Sequence, residues 1–245
     1  MKESKRETKG KLPVRLLPVS VFAIAFGFLE AIVVVYLREL YYPGGFSFPM
    51  KLIPHKIYFI EITREVTTII MLASVGILAG KTRMQKFAYF LIAFALWDIF
   101  YYVALKLFLD WPESLLTWDI LFLIPIPWLG PVLAPVLCST GMIIYASIIL
   151  YFEENGISVK HNARELLLTV TGIVLILATY IWDYASLMIG HGFIRNFFGL
   201  MNDRKFLELT SEYVPVFYNW YLFVVGVLLI LASMWSLYFR LKRDF

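Results

Sequence analysis

The strongest constraint in this chain is a succession of apolar runs, each long enough to cross a bilayer. A spanning helix needs about 20 consecutive, mostly apolar residues. Such runs occupy residues 18–40, 57–80, 87–109, 115–152, 166–190 and 214–239. In hydrocarbon every backbone polar group must be satisfied internally, so spanning segments are helices or closed barrels. The alternating pattern of barrel strands is absent, which leaves helices. The expected fold class is all-α: a polytopic integral membrane helical bundle of about six transmembrane helices, with a proline-broken fourth element and both termini cytoplasmic. The composition agrees, with 60% apolar and only 16% charged residues among 245.

The expected organisation is a basic cytoplasmic tail (1–17), a single six-helix membrane domain (18–240) and a basic cytoplasmic C-terminus (241–245). The tail carries Lys2, Lys5, Arg6, Lys9, Lys11 and Arg15 against Glu3 and Glu7. A cleaved signal peptide is the rival reading. The first run is too long for that, contains Glu30, and lacks a clear small-residue cleavage site.

Six spans put both termini on one side, and cytoplasmic loops are enriched in Lys and Arg. With the tail go Lys81, Arg83, Lys86, Lys160, Arg164, Arg240, Lys242 and Arg243. The opposite connections hold only Lys51, Lys56, Arg195, Arg204 and Lys205. Tyr41, Tyr42, Tyr101, Tyr102, Trp111, Trp118, Tyr218 and Trp220 gather at the outer helix ends, as an interfacial aromatic belt does. The expected setting is multi-pass in the cell (plasma or inner) membrane, with the lipid bilayer as principal partner. A homo-oligomer or a membrane-complex partner stays open. The net charge of +4 comes from these helix ends and does not imply nucleic acid.

The stretch 115–152 is too long for one straight span and contains Pro125, Pro127, Gly130, Pro131 and Pro135. Each proline removes a backbone donor and clashes with the preceding turn. The expectation is a half-helix or re-entrant piece to about Trp128, then a span from about Pro131 to Phe152. Irregular backbone at membrane depth lies against protein or a wet cavity, and broken helices often border transporter binding sites. A kinked structural helix is the plainer alternative. Between the fifth and sixth spans, Ile194, Phe197, Phe198 and Met201 recur at helical spacing, which suits a short amphipathic helix at the interface.

The charges inside the spans point to a site. Glu61, Arg64 and Glu65 share one face of the second helix. Charges in hydrocarbon are costly unless paired or facing a polar cavity. The outward-running first, third and fifth helices carry Glu30, Asp98 and Asp183. At about 1.5 Å rise per residue these five acids lie roughly 6–18 Å below the outer surface, so they can converge in the outer half of the bundle. Arg64 and Lys106 are read as the bases set against them, too few to pair them all; the excess must be protonated, hydrated or bound to a cation. Asp98, Tyr102 and Lys106 line up on one face, as do Thr179, Asp183 and Ser186. A Trp-Asp pair recurs at Trp97-Asp98, Trp118-Asp119 and Trp182-Asp183, a trace of an internal repeat at most, because the flanking residues match poorly.

The candidate catalytic residues are therefore Glu30, Glu61, Arg64, Glu65 and Asp98, with Arg64 as shared counter-charge. The candidate substrate-binding residues are Asp183, Lys106, Tyr102 and Trp128. The bland readings are a structural ion cluster for Glu61, Arg64 and Glu65, and a snorkelling role for Lys106. No P-loop, GxGxxG, HExxH or CxxC occurs. Cys138, the single cysteine, excludes an internal disulfide and reads as packing. His55 and His191 lie on the outer side and His161 on the other, none with a partner at metal-ligand spacing, so neither a metal nor a cofactor is named. Three functions fit. A membrane-embedded enzyme would act on a lipid or small molecule by acid–base or metal-assisted chemistry. A small ion- or proton-coupled transporter and a structural or assembly subunit are the alternatives.

Overall fold

A computed structural model describes residues 14–51, 53–124, 126–190, 193 and 204–243. The basic residues from Lys2 to Lys11, Pro125, His191, and the stretch from Ile194 to Met201 read as an interfacial helix lie outside the described residues. Six helices have the length and apolarity to cross a membrane. They are α1 (Leu16–Tyr41), α2 (His55–Ala79), α3 (Arg83–Leu109), α4 (Leu133–Glu154), α5 (Ala163–Gly190) and α7 (Trp220–Arg243). A strand pair, β1 (Trp118–Phe122) and β2 (Trp128–Pro131), separates α3 from α4, and a short helix, α6 (Arg204–Glu212), precedes α7. The chain is a multi-pass, all-helical bundle with almost no sheet. Many of its large apolar side chains face outward, among them Leu78, Val216, Tyr221 and Trp235, as a lipid-facing surface requires.

The third helix forms the centre. It packs against α1, α2 and α4, and 56% of its most apolar window is buried, against 28–33% for the others. A helix apolar all round belongs in such a place. Close backbone approach sets its crossing with α1: a Cβ on Gly27 would lie 2.6 Å from the Trp97 carbonyl oxygen. A second close crossing joins α5 and α7, where a Cβ on Gly172 would lie 2.6 Å from the Gly226 carbonyl oxygen. Small residues at such crossings are the usual device of membrane helices.

Helix ends sort into two groups. At one end lie the start of α1, the end of α2, the start of α3, the end of α4, the start of α5 and the end of α7. They are tied by Arg15 to the Ala79 carbonyl, Gln85 to Glu154 at 3.3 Å, and Arg240 to Glu165 at 2.6 Å. The described chain therefore both begins and ends at this end. A dry core fills the bundle here, with Ala23, Leu72, Ala88, Ile92, Ile149 and Leu237 at its centre.

The proline-rich segment is broken, as its sequence requires, but its first part is extended chain and not a half-helix. β1 and β2 pair antiparallel, with Asp119 opposite Gly130 and an irregularity between Ile120 and Phe122. Aromatic and branched residues in Trp118–Phe122 favour strand, and Pro127 just before β2 removes a donor that a helix would need. Helix α4 begins only at Leu133, so Pro135 sits in its first turn, where a missing N–H costs nothing. The last span begins at Trp220, later than the apolar run. Pro215 discourages helix, and the Asn219 side chain caps by accepting from Leu222 N at 3.1 Å.

Candidate functional site

A cavity of about 250 Å³ occupies the half of the bundle away from the termini. Its walls come from α1, α2, α3 and the segment joining the first two, and the β1–β2 hairpin closes over it. The five candidate acid–base residues, Glu30, Glu61, Arg64, Glu65 and Asp98, all line it, as does Tyr102. On α2, lining residues Tyr58, Glu61, Glu65 and Thr68 follow helical spacing. On α1 the stripe is Glu30, Val34, Leu37, Arg38 and Tyr41.

The carboxylates divide by partner. Arg64 bridges two of them, pairing with Glu30 on α1 and reaching Glu61 at 2.8 Å through Nη2 and 2.9 Å through Nε. Glu30 also accepts from the Thr68 hydroxyl at 3.3 Å. Glu65 takes no share of the guanidinium in a salt bridge. Its two oxygens accept from the backbone N–H of Leu123, at 3.1 and 3.0 Å. Asp98 accepts from the Ser139 hydroxyl at 2.7 Å. Among the described residues, two acids thus meet a guanidinium, and two meet only neutral donors. Arg64 is the counter-charge of Glu30 and Glu61, not of the whole group.

A second ion pair lies beside them. Arg38 Nη2 meets Asp119 Oδ1 at 3.1 Å, with both side chains almost wholly buried. Its guanidinium stands 3.7 Å from the Trp111 ring centre and 4.6 Å from that of Phe46, which fixes its plane. Burial pushes the Asp119 carboxyl above its usual range, while Arg38 pulls it down. With Glu65 holding Leu123, this pair pins the hairpin to α1 and α2. Sequence reasoning notes Asp119 only within the Trp-Asp repeat and passes over Arg38. The available signal was the helical spacing of Arg38 eight residues beyond Glu30, which puts both on one face.

Three candidate binding residues lie elsewhere. Lys106 turns to its own helix end, with Nζ 2.7 Å from Asp110 Oδ1 and within 3.2 Å of the Asp110 and Pro112 carbonyls. The snorkelling reading describes it. Asp183 is half-buried on α5 and hydrogen-bonds Tyr213. Trp128 stacks on Tyr180, ring centres 6.0 Å apart, in the apolar cluster between the hairpin, α5 and α7. His55 lines the cavity. Among the described residues no three His, Cys, Asp or Glu side chains converge as a metal-ligand set. Comparison with family models, curated proteins and solved structures found no match to this chain.

Proposed function

We propose that the chain is a membrane-embedded enzyme of the cell membrane. It performs acid–base chemistry on a lipid or small molecule that enters from the outer side. The observation that supports this most is the division of the carboxylates in one cavity. Glu30 and Glu61 share Arg64, whereas Glu65 and Asp98 meet only the Leu123 N–H and the Ser139 hydroxyl. Placing carboxyl groups in unlike surroundings is how sites assign acid and base roles. Glu65 and Asp98 are the proton-transferring residues in this reading. Arg64, with Glu30 and Glu61, sets the local field and is suited to charge that develops on a substrate. The basic loops on the terminus side support the outward placement of the cavity.

A carrier needs a route from the acids to the other face. The apolar core around Leu72, Ala88, Ile92 and Ile149 occupies that path, which favours the enzyme. The test is turnover. Purified wild-type protein, E65Q and D98N are incubated with a total lipid and small-molecule extract of the host, and products are followed by mass spectrometry. A species converted by the wild type and by neither variant is expected. Equal profiles for all three would overturn the enzyme and leave the assembly-subunit reading.

A further inference from the structure

The same cavity carries three buried polar atoms that the acid–base set does not use. Arg38 Nη1 and Trp97 Nε1 are donors and Asp119 Oδ2 is an acceptor, and none has a hydrogen-bond partner. Their residues are 7, 8 and 2% exposed, and all three line the cavity. Buried polar groups are nearly always paired, because an unmade hydrogen bond forfeits the hydration given up on burial. The Ile120 N–H and the Tyr102 hydroxyl lie beside the Asp119 carboxylate, yet its Oδ2 is left without a well-formed hydrogen bond. The guanidinium is held between Trp111 and Phe46, and one carboxylate oxygen is already engaged with it.

We infer that Arg38, Asp119 and Trp97 form a subsite for a neutral hydroxylated group, a sugar or polyol, carried as the head of an amphiphile. The inference rests on the cavity being a ligand site, not on catalysis. An anion would satisfy the two donors but meet the free Asp119 oxygen and four further carboxylates in the same walls. A cation would satisfy Asp119 and meet two N–H groups head-on. A hydroxyl both donates and accepts, so a polyol offers partners to donors and acceptor alike. Tyr42, Tyr58 and Tyr101 add aromatic faces that suit the C–H faces of a sugar ring. The volume of about 250 Å³ gives room for one ring. Leu37, Met50, Ile53 and Leu121 supply the apolar wall along which a chain would lie.

Binding is measured by thermal shift on the full chain in octaethylene glycol dodecyl ether, a detergent without a sugar head. The probes are hexyl β-D-glucoside, glucose, 2-hexyloxytetrahydropyran (the same ring without the sugar hydroxyls) and hexyl phosphate. Hexyl glucoside at about tenfold its Kd is expected to raise Tm by on the order of 3 °C. The tetrahydropyran is expected to do nothing. Trp97→Phe removes an N–H that has no protein partner but also trims a side chain of the apolar core, so a modest loss of Tm without probe is expected, while affinity for hexyl glucoside, read from the dependence of the shift on probe concentration, falls about fivefold. Arg38→Gln should weaken binding further, and the Phe variant keeps the test decisive if the Gln variant does not fold. A shift by glucose alone, as large as that by its hexyl ether, supports the hydroxyl site and overturns the amphiphile. Equal shifts by the tetrahydropyran, or unchanged affinity in Trp97→Phe, overturn the subsite. A shift by hexyl phosphate only means an anion site: the hydroxyl assignment falls and the ligand cavity stands. If no probe binds yet turnover depends on Glu65, this inference alone fails.

Discussion

Removing Arg64 separates a structural ion lock from a working pocket. Arg64→Ala strands Glu30 and Glu61, whose side chains are 7 and 8% exposed, while the arginine itself is 21% exposed. Breaking a buried pair costs about 3–5 kcal/mol, because the remaining charge has no partner. Partial exposure of the arginine and the Thr68 hydroxyl on Glu30 set the expectation near the lower bound, about 3 kcal/mol. A chain of this size loses about 2–4 °C of Tm per kcal/mol, so the drop is on the order of 10 °C. Glu61→Gln keeps an acceptor for the guanidinium and leaves the Arg64–Glu30 pair whole. Its cost is about 1 kcal/mol, or roughly 3 °C. The assay is thermal unfolding in detergent followed by intrinsic fluorescence. The triple variant R64A/E30Q/E61Q should recover most of the loss, since no uncompensated charge remains. If Glu61→Gln falls as far as Arg64→Ala, the cluster is chiefly a structural lock. A wild-type Tm for Arg64→Ala would mean that these acids need no counter-charge, which refutes the reasoning outright.

Three further outcomes are expected. Glu65→Leu leaves the Leu123 N–H without its acceptor, at a cost of about 1–3 kcal/mol, and faster hydrogen exchange confined to Trp118–Pro131 is the readout; unchanged exchange would show that Glu65 does not hold the hairpin. His161, half-buried against Tyr145 in the α4–α5 connection, has its pKa lowered from the usual 6.5, first by burial and then by Arg240, with Glu165 acting the other way. The unfolded chain takes up the proton first, so the stability His161 contributes is present above 6.5 and is lost as pH falls through the window just below it. Tm measured from about pH 8 to about pH 5 should fall more steeply for wild type than for His161→Gln. Cysteines at Ser47 and Ser158, in a variant lacking Cys138, should label from opposite sides of sealed vesicles; same-side labelling would end the six-span topology.

The spans were legible because length and apolarity are local properties that tertiary context cannot reverse at this scale. Depth counting from helix ends brought Glu30, Glu61, Arg64, Glu65 and Asp98 into one layer, and they do line one cavity. Rotation about the helix axis was harder to read. Asp183 sits at a suitable depth, but α5 packs chiefly against α7 and β2, so its acid lies off the cavity. The hairpin was legible as a break and not as strands, because proline spacing forbids a helix without saying what replaces it. The Arg38–Asp119 pair was hidden for the same reason: their separation of 81 positions in the chain closes only when the hairpin folds back over α1.

The filled half of the bundle carries an electrical consequence. Among the described residues, the apolar core of Leu72, Ala88 and Ile149 lies between Glu65, Asp98 and the far end of the bundle. The site is therefore expected to equilibrate with the acidity of one compartment and to be blind to that of its neighbour. In sealed proteoliposomes with a pH step across the bilayer, its protonation is expected to follow the bath on the hairpin side alone, with no steady current across the bilayer.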